Sequence, residues 1–212
     1  MTTPTRRQMY AAATRAALLE AACDSFVGHG YAATAIEEVT ATARISKGAF
    51  YRHFPDKQTV FVELFSERLR QAAAAIEDTV TAINAAGPGN GALLASKCAY
   101  DFAARSVTDP VHRELMRQAP EVLGEQKYLA LDDELVLPSV HGLLTTLSSF
   151  GELRPDVPLD TTARLLLRVL CAANTLIANA DDPRAALAES AITMSLFFAG
   201  LTPPTRQSEH AR

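Results

Sequence analysis

The 212-residue sequence has no tryptophan, few aromatic residues (7%) and only three cysteines. Cys23, Cys98 and Cys171 are odd in number and more than 70 residues apart. That spacing fits neither a zinc ligand set nor a redox pair, so they read as small apolar core residues of a reducing compartment. Period-two alternation of apolar and polar residues, the mark of half-buried strands, is scarce. No uninterrupted apolar run reaches about 18 residues, so no membrane-spanning helix is expected. Arg6, Arg7 and Arg15 are not followed by the apolar segment of a secretory signal, and a cytoplasmic location is expected. No HExxH, no GxSxG and no paired nucleophile and base occur. Catalytic residues, metal ligands and cofactors are therefore not expected.

What is present reads as helix. Alanine is abundant, and 48% of the residues are hydrophobic against 21% charged, which is enough for a real core. The fold class expected is all-α. Charge is uneven: residues 1–70 carry nine Lys/Arg and seven Asp/Glu, whereas residues 71–212 carry eleven and seventeen. Within 44–57 the count is four basic residues to one acidic. A local basic patch on an acidic chain is the footprint expected for phosphate binding, although a solvated helix face fits the charge equally well.

Along the chain, a first helix is expected over about 7–29, ended by the glycines of "GHGY". "TAIE" (34–37) reads as a capping box for a short second helix over about 35–43. Ser46 should cap a third helix over about 47–53, Pro55 should stop it, and Asp56 should cap a long fourth helix to about residue 85. Two short helices joined by a tight turn, behind a longer packing helix, make a helix-turn-helix. The piece "AGPGNGA" (86–92) lacks the lysine and the preceding strand of a phosphate loop and reads as a connector. Further helices are expected over about 92–107, 110–118, 125–150 with a kink at Pro138, 159–180 and 183–200. A disordered tail is expected over 203–212.

The stretch "SKGAFYRHFPDK" (46–57) supplies what a major-groove helix needs. Lys47, Gly48 and Ala49 form a first turn open to base edges. Phe50 and Phe54, four apart, share a face that packs inward. Tyr51, Arg52 and His53 point away from that face, and Lys57 begins the next helix.

From about Arg15 to Phe65 the chain resembles the DNA-binding domain of the TetR family of bacterial transcriptional regulators. The pieces that carry the resemblance are "AACDSFVGHGYAATAIEEV" and "SKGAFYRHFPDK". It implies a homeodomain-like helix-turn-helix domain (1–56), a helical ligand-binding and dimerisation domain (57–202), and a homodimer on palindromic double-stranded operator DNA. It also implies that Thr34, Tyr51, His53 and Lys57 grip phosphates while Lys47, Gly48, Ala49 and Arg52 lie over bases or sugars, and Ser46, the cap of that helix, is counted with the DNA-binding residues. The family usually has Gly-Val in the turn; this chain has Arg44-Ile45. Arg44 takes the place of the residue best suited to a positive φ and offers an added phosphate contact.

Over the remaining two-thirds the resemblance implies only architecture: a pocket among the middle helices for a small-molecule effector, and a last pair of helices that dimerises. Inward positions that mix aromatic and polar groups are Phe65, Tyr100, Met116, Tyr128, Leu131, His141 and Leu144, which suggests a mostly apolar effector. "LDDEL" (131–135) reads as a solvated helix face. In the last helix Leu187, Ala191, Met194, Phe198 and Leu201 recur at steps of four and three, a seam spacing. The preceding helix, with Leu166, Val169 and Leu170, is apolar nearly all round and must be buried on more than one side. The alternative is a helical lipid- or small-molecule-binding protein, or an enzyme, with no role at DNA; it would leave the basic run without purpose.

Overall fold

The computed structural model describes residues 5–203. The rest of the expected disordered tail, 204–212, lies outside the described residues. Ten α-helices and no strand occur among them. The first four are α1 (Arg6–His29), α2 (Ile36–Thr42), α3 (Lys47–His53) and α4 (Lys57–Ala86).

Local caps set three of these starts. The Thr5 hydroxyl accepts from Gln8 N, and Gln8 reaches back to the Thr5 amide. Ser46 accepts from Ala49 N at 3.2 Å, and Asp56 accepts from Thr59 N at 2.7 Å. The fourth start differs from expectation. α2 begins after Ala35, with no side-chain cap. Thr34 is 2% exposed, and its hydroxyl donates to the Gly30 carbonyl at 2.8 Å. The tight α1–α2 loop turns this side chain back onto the end of α1, and Glu37 faces Lys47 instead. Phe50 and Phe54, from α3 and its C-cap, join Phe26 and Phe61 in the core, all 1% exposed or less. Phe26, Tyr31 and Phe61 form a ring cluster with centroids 5.4 to 5.7 Å apart.

The α2–α3 turn is a Schellman motif. Ile45 N donates to Thr40 O (2.9 Å) and Arg44 N to Ala41 O (3.1 Å). Its central residue must be left-handed, and Arg44 has φ 55°, the one positive φ outside glycine among the described residues. A side chain there costs about 1–2 kcal/mol; glycine would recover that strain less about 0.5–1 kcal/mol of unfolded-state entropy. Arg44→Gly is therefore expected to raise unfolding stability in urea by roughly 0.5–1 kcal/mol. It should also lower the salt slope of DNA binding by about one phosphate contact. A slope that stays unchanged would reduce Arg44 to a turn residue.

The second half comprises α5 (Gly91–Thr108), α6 (Pro110–Leu123), α7 (Glu125–Leu135), α8 (Leu137–Ser149), α9 (Leu159–Asn179) and α10 (Pro183–Leu201). α6 passes through Pro120, which lies in its last turn, and stops at Gly124 with φ 76°. The single kinked helix expected over 125–150 is two helices. The chain breaks at Val136, and Pro138 falls in the first turn of α8, where a missing amide costs nothing. The glycine connector is held by Glu152 from the α8–α9 loop. Its carboxylate accepts from Gly89 N (2.7 Å), Gly91 N (3.1 Å) and Ala92 N (2.8 Å). Burial pushes this carboxyl up, but the three amides win and hold it below the usual range. The free amides at the start of α5 thus do bind an anion, and the chain supplies it.

α4 is the spine of the molecule, packed against α1, α5, α6, α7 and α8. α9 and α10 are each long and apolar enough to cross a membrane by length and hydropathy. α9 is core on one side, packed on α5, α6, α8 and α10; α10 packs on α5 and α9.

Candidate nucleic-acid interface and effector cavity

The turn and α3 present Arg44, Ser46, Lys47, Gly48, Tyr51 and Arg52 to solvent, with His53 half-buried. Tyr51 is 49% exposed and rests its ring edge on buried Phe50, centroids 5.4 Å apart. Lys47 is paired with Glu37 of α2, which raises the lysine pKa and lowers that of the glutamate through their hydrogen bond. Three expected contact residues stand elsewhere. Ala49 is 8% exposed and belongs to the packing under α3. Thr34 is buried, as described above. The Lys57 ammonium donates to the carbonyls of Tyr31 (2.5 Å) and Thr34 (2.7 Å) and lies 4.3 Å from the Tyr31 ring centre. Burial lowers its pKa. Lys57 and Thr34 therefore brace the α1–α2 loop, Lys57 from the first turn of α4 and Thr34 from within the loop.

A cavity of about 340 Å³ opens between α4 and α5 and runs inward to α10. Met116 and Tyr128 stand in its wall. The other pocket positions read from sequence lie elsewhere, because the faces that α4, α5, α7 and α8 turn to the cavity are set by tertiary packing. Phe65 is fully buried behind the wall, its ring 5.6 Å from that of Tyr128. Leu144 is fully buried, and Leu131 packs half-buried on the core. Tyr100 is 49% exposed. His141 is on the surface, its Nε2 2.8 Å from Asp160 Oδ1. Sequence reasoning missed Leu69, Phe102, Cys171, Asn174 and Asp132, all in the wall. Asp132 had a usable signal: it lies four residues after Tyr128, on the same face of α7. Far from being solvated, it is 1% exposed.

Burial governs the charges here. Asp132 is pushed up to about 6 by desolvation, and the Cys171 thiol is pushed up for the same reason. His112 of α6 is fully buried, its ring edge-on to Phe102 at 5.4 Å. Neither ring nitrogen has a hydrogen-bond partner among the described residues. Desolvation lowers its pKa from 6.5 to about 4. The unfolded chain therefore binds the proton first, and His112 contributes stability that falls as pH drops from 6.5 towards 4. Asp132 works in the opposite sense, since its neutral form is favoured up to about pH 6. The two slopes overlap and partly cancel. His112→Leu should therefore steepen the loss of stability with rising pH between about 4 and 6.5, by up to about 1.4 kcal/mol per pH unit relative to the unsubstituted protein. Urea melts across that range would read it; parallel curves would mean that His112 is not held neutral.

α6 joins the cavity to α3's platform. Met116 lines the cavity. Two residues on, Gln118 donates to Phe26 O (3.0 Å) and accepts from Tyr31 N (2.6 Å), gripping the end of α1. Gln58 of α4 donates to Val122 O at 2.7 Å. These bonds tie α6 to the end of α1, to the α1–α2 loop and to α4.

The expected seam on α10 faces its own subunit. Leu187 and Phe198 are buried, and Ala191, Met194 and Leu201 are half-buried; Phe198 reaches the cavity wall. On α9, Leu166 is 1% exposed, Leu170 lines the cavity and Val169 is half-buried. A second apolar stripe is left outside: Leu165 (56% exposed) and Leu176 (67%) on α9, with Ile192 (64%) and Leu196 (70%) on α10. Steps of three and four mark any buried stripe, and these two helices carry one on each side.

Comparison with known sequences agrees with this geometry. Residues 18–64 match the N-terminal domain of the bacterial regulatory proteins of the tetR family, and residues 96–201 match the tetracyclin repressor-like C-terminal domain. The chain belongs to the TetR family. It is 27% identical over 172 residues to the HTH-type transcriptional repressor AcnR of Corynebacterium diphtheriae, covering 79% of this chain and 83% of AcnR. Over 65 residues it is 35% identical to the HTH-type transcriptional repressor DhaR of a Mycobacterium species, a match that spans only 33% of DhaR. A TetR-family regulator from Pectobacterium atrosepticum superposes with a TM-score of 0.73 at 25% identity, covering 94% of this chain and 98% of that one. Like those relatives, it is a DNA-binding transcriptional regulator with the helical domain of a ligand-responsive family.

Proposed function

We propose that the protein is a cytoplasmic repressor that binds a palindromic operator as a homodimer and is released by a compact, mostly apolar effector. The observation that carries this reading is the α6 linkage. Met116 stands in the cavity wall, and Gln118 holds the two backbone groups at the base of the helix-turn-helix. An effector that displaces Met116 shifts α6, and with it the separation of the two recognition helices in the dimer. It releases DNA only to the extent that it binds the displaced state more tightly. The outer stripe of Leu165, Leu176, Ile192 and Leu196 supports a two-fold contact with a second copy, which accounts for the apolar length of α9 and α10 without a membrane. Arg44, Ser46, Lys47, Gly48, Tyr51, Arg52 and His53 face the DNA, while Thr34 and Lys57 present the α1–α2 loop to the backbone.

The repressor reading is tested with a reporter fused to the DNA upstream of the protein's own gene. Deletion of the protein is expected to raise reporter output. A fall on deletion would make it an activator, and no change would remove the operator from that region.

A further inference from the structure

The cavity is apolar along most of its inner wall, through side chains such as Leu69, Met116, Val140 and Phe198. One ionisable side chain in that wall is closed off from solvent: Asp132 of α7, 1% exposed. Its Oδ2 accepts from the Cys171 thiol at 3.1 Å and lies 3.4 Å from Arg168 Nη1. Its Oδ1 has no partner among the described residues. Arg168 does not serve both oxygens, because its other nitrogen is bound to Asp133. The lysine in the wall, Lys97, is exposed and held by Asp101. A buried carboxylate oxygen without a partner is costly until a donor reaches it, and desolvation of this carboxyl outweighs the pull of Arg168.

We propose that the effector carries a single hydrogen-bond donor, a hydroxyl or a protonated amine, that docks on Asp132 Oδ1 while its apolar body fills the chamber. This rests on the reading of the cavity as the effector site and adds the chemistry that orients the ligand there. The volume, about 340 Å³, lies at the small end of the range for ligand pockets, so the body is compact. Asp132 selects by exclusion: a ligand of the same shape without a donor would seal its oxygen into apolar surroundings unpaired.

Three shape-matched probes test this on the full-length protein by calorimetry: 4-butylbenzylamine, 4-butylbenzyl alcohol and 4-butyltoluene. The amine or the alcohol is expected to bind at least about tenfold more tightly than the hydrocarbon, and which of the two leads decides between a cationic and a neutral donor. Asp132→Leu should bring all three to within about threefold of one another. Asp132→Asn keeps the shape, so it guards against a leucine variant that fails to fold. It should weaken the amine by about tenfold while leaving 4-butyltoluene unchanged. Equal binding of all three probes to the unsubstituted protein would leave the cavity as a ligand site but overturn the role of Asp132. Binding of none of them would overturn both.

Discussion

Leu176→Glu combined with Leu196→Glu is expected to convert the protein from dimer to monomer. Both side chains are about two-thirds exposed in the subunit, at 67% and 70%, so the substitutions leave its core intact. In the two-fold contact proposed above the same positions would meet their copies, and four carboxylates would be desolvated beside one another. Sedimentation at micromolar concentration should show a folded particle of half the mass, with unchanged helical content. Operator affinity should fall by about 10²-fold or more, because the second half-site is no longer held at high effective concentration. A variant that stays dimeric would place the interface on another face. The inward seam of Leu187, Met194 and Phe198 serves as control: substitutions there should unfold the domain before they dissociate it.

The second large effect is at Lys47. Its side chain is exposed and its partner Glu37 is exposed too, so the pair opens readily when DNA arrives. Lys47→Ala should cost roughly tenfold in operator affinity for each subunit, and about a hundredfold for the dimer, if the lysine meets guanine acceptors. Loss confined to the matched operator would mean base reading. Equal loss on any duplex, with a smaller salt slope, would mean a phosphate contact. Glu37→Gln should act in the opposite direction. It removes the competing carboxylate and a negative charge beside α3, so it should raise affinity for non-specific duplexes several-fold. Both variants are measured by fluorescence anisotropy at fixed salt, and an unaffected Lys47→Ala would remove that residue from the interface.

What was legible in the sequence was local. Ser46 and Asp56 bond amides three residues away, and Phe50 and Phe54 share a face by spacing alone. The strain at Arg44 could be read from one residue standing where a glycine belongs. Thr34 was misleading, because the loop folds its hydroxyl onto Gly30 rather than onto α2. The cavity was less legible still. Whether Leu144 or Val140 of α8 faces it depends on how α8 packs against α4 and α9, which no spacing within α8 records. On α10 both apolar stripes have dimer-like spacing, and only the packed subunit distinguishes the stripe it keeps from the stripe it offers. Asp132 stayed hidden because an acidic cluster ordinarily faces water, and what it meets instead, Cys171 and Arg168, lies on α9, distant in sequence.

In the proposed complex, α3 of each subunit reads one half of a palindromic operator. Anisotropy titration of a duplex from the gene's own upstream region, at several salt concentrations and beside a half-site-scrambled duplex, tests it most directly. The expected result is one dimer per duplex, an affinity that falls steeply and linearly in logarithmic salt, and at least about a thousandfold preference over the scrambled duplex. Equal, salt-independent affinity for both duplexes would contradict it.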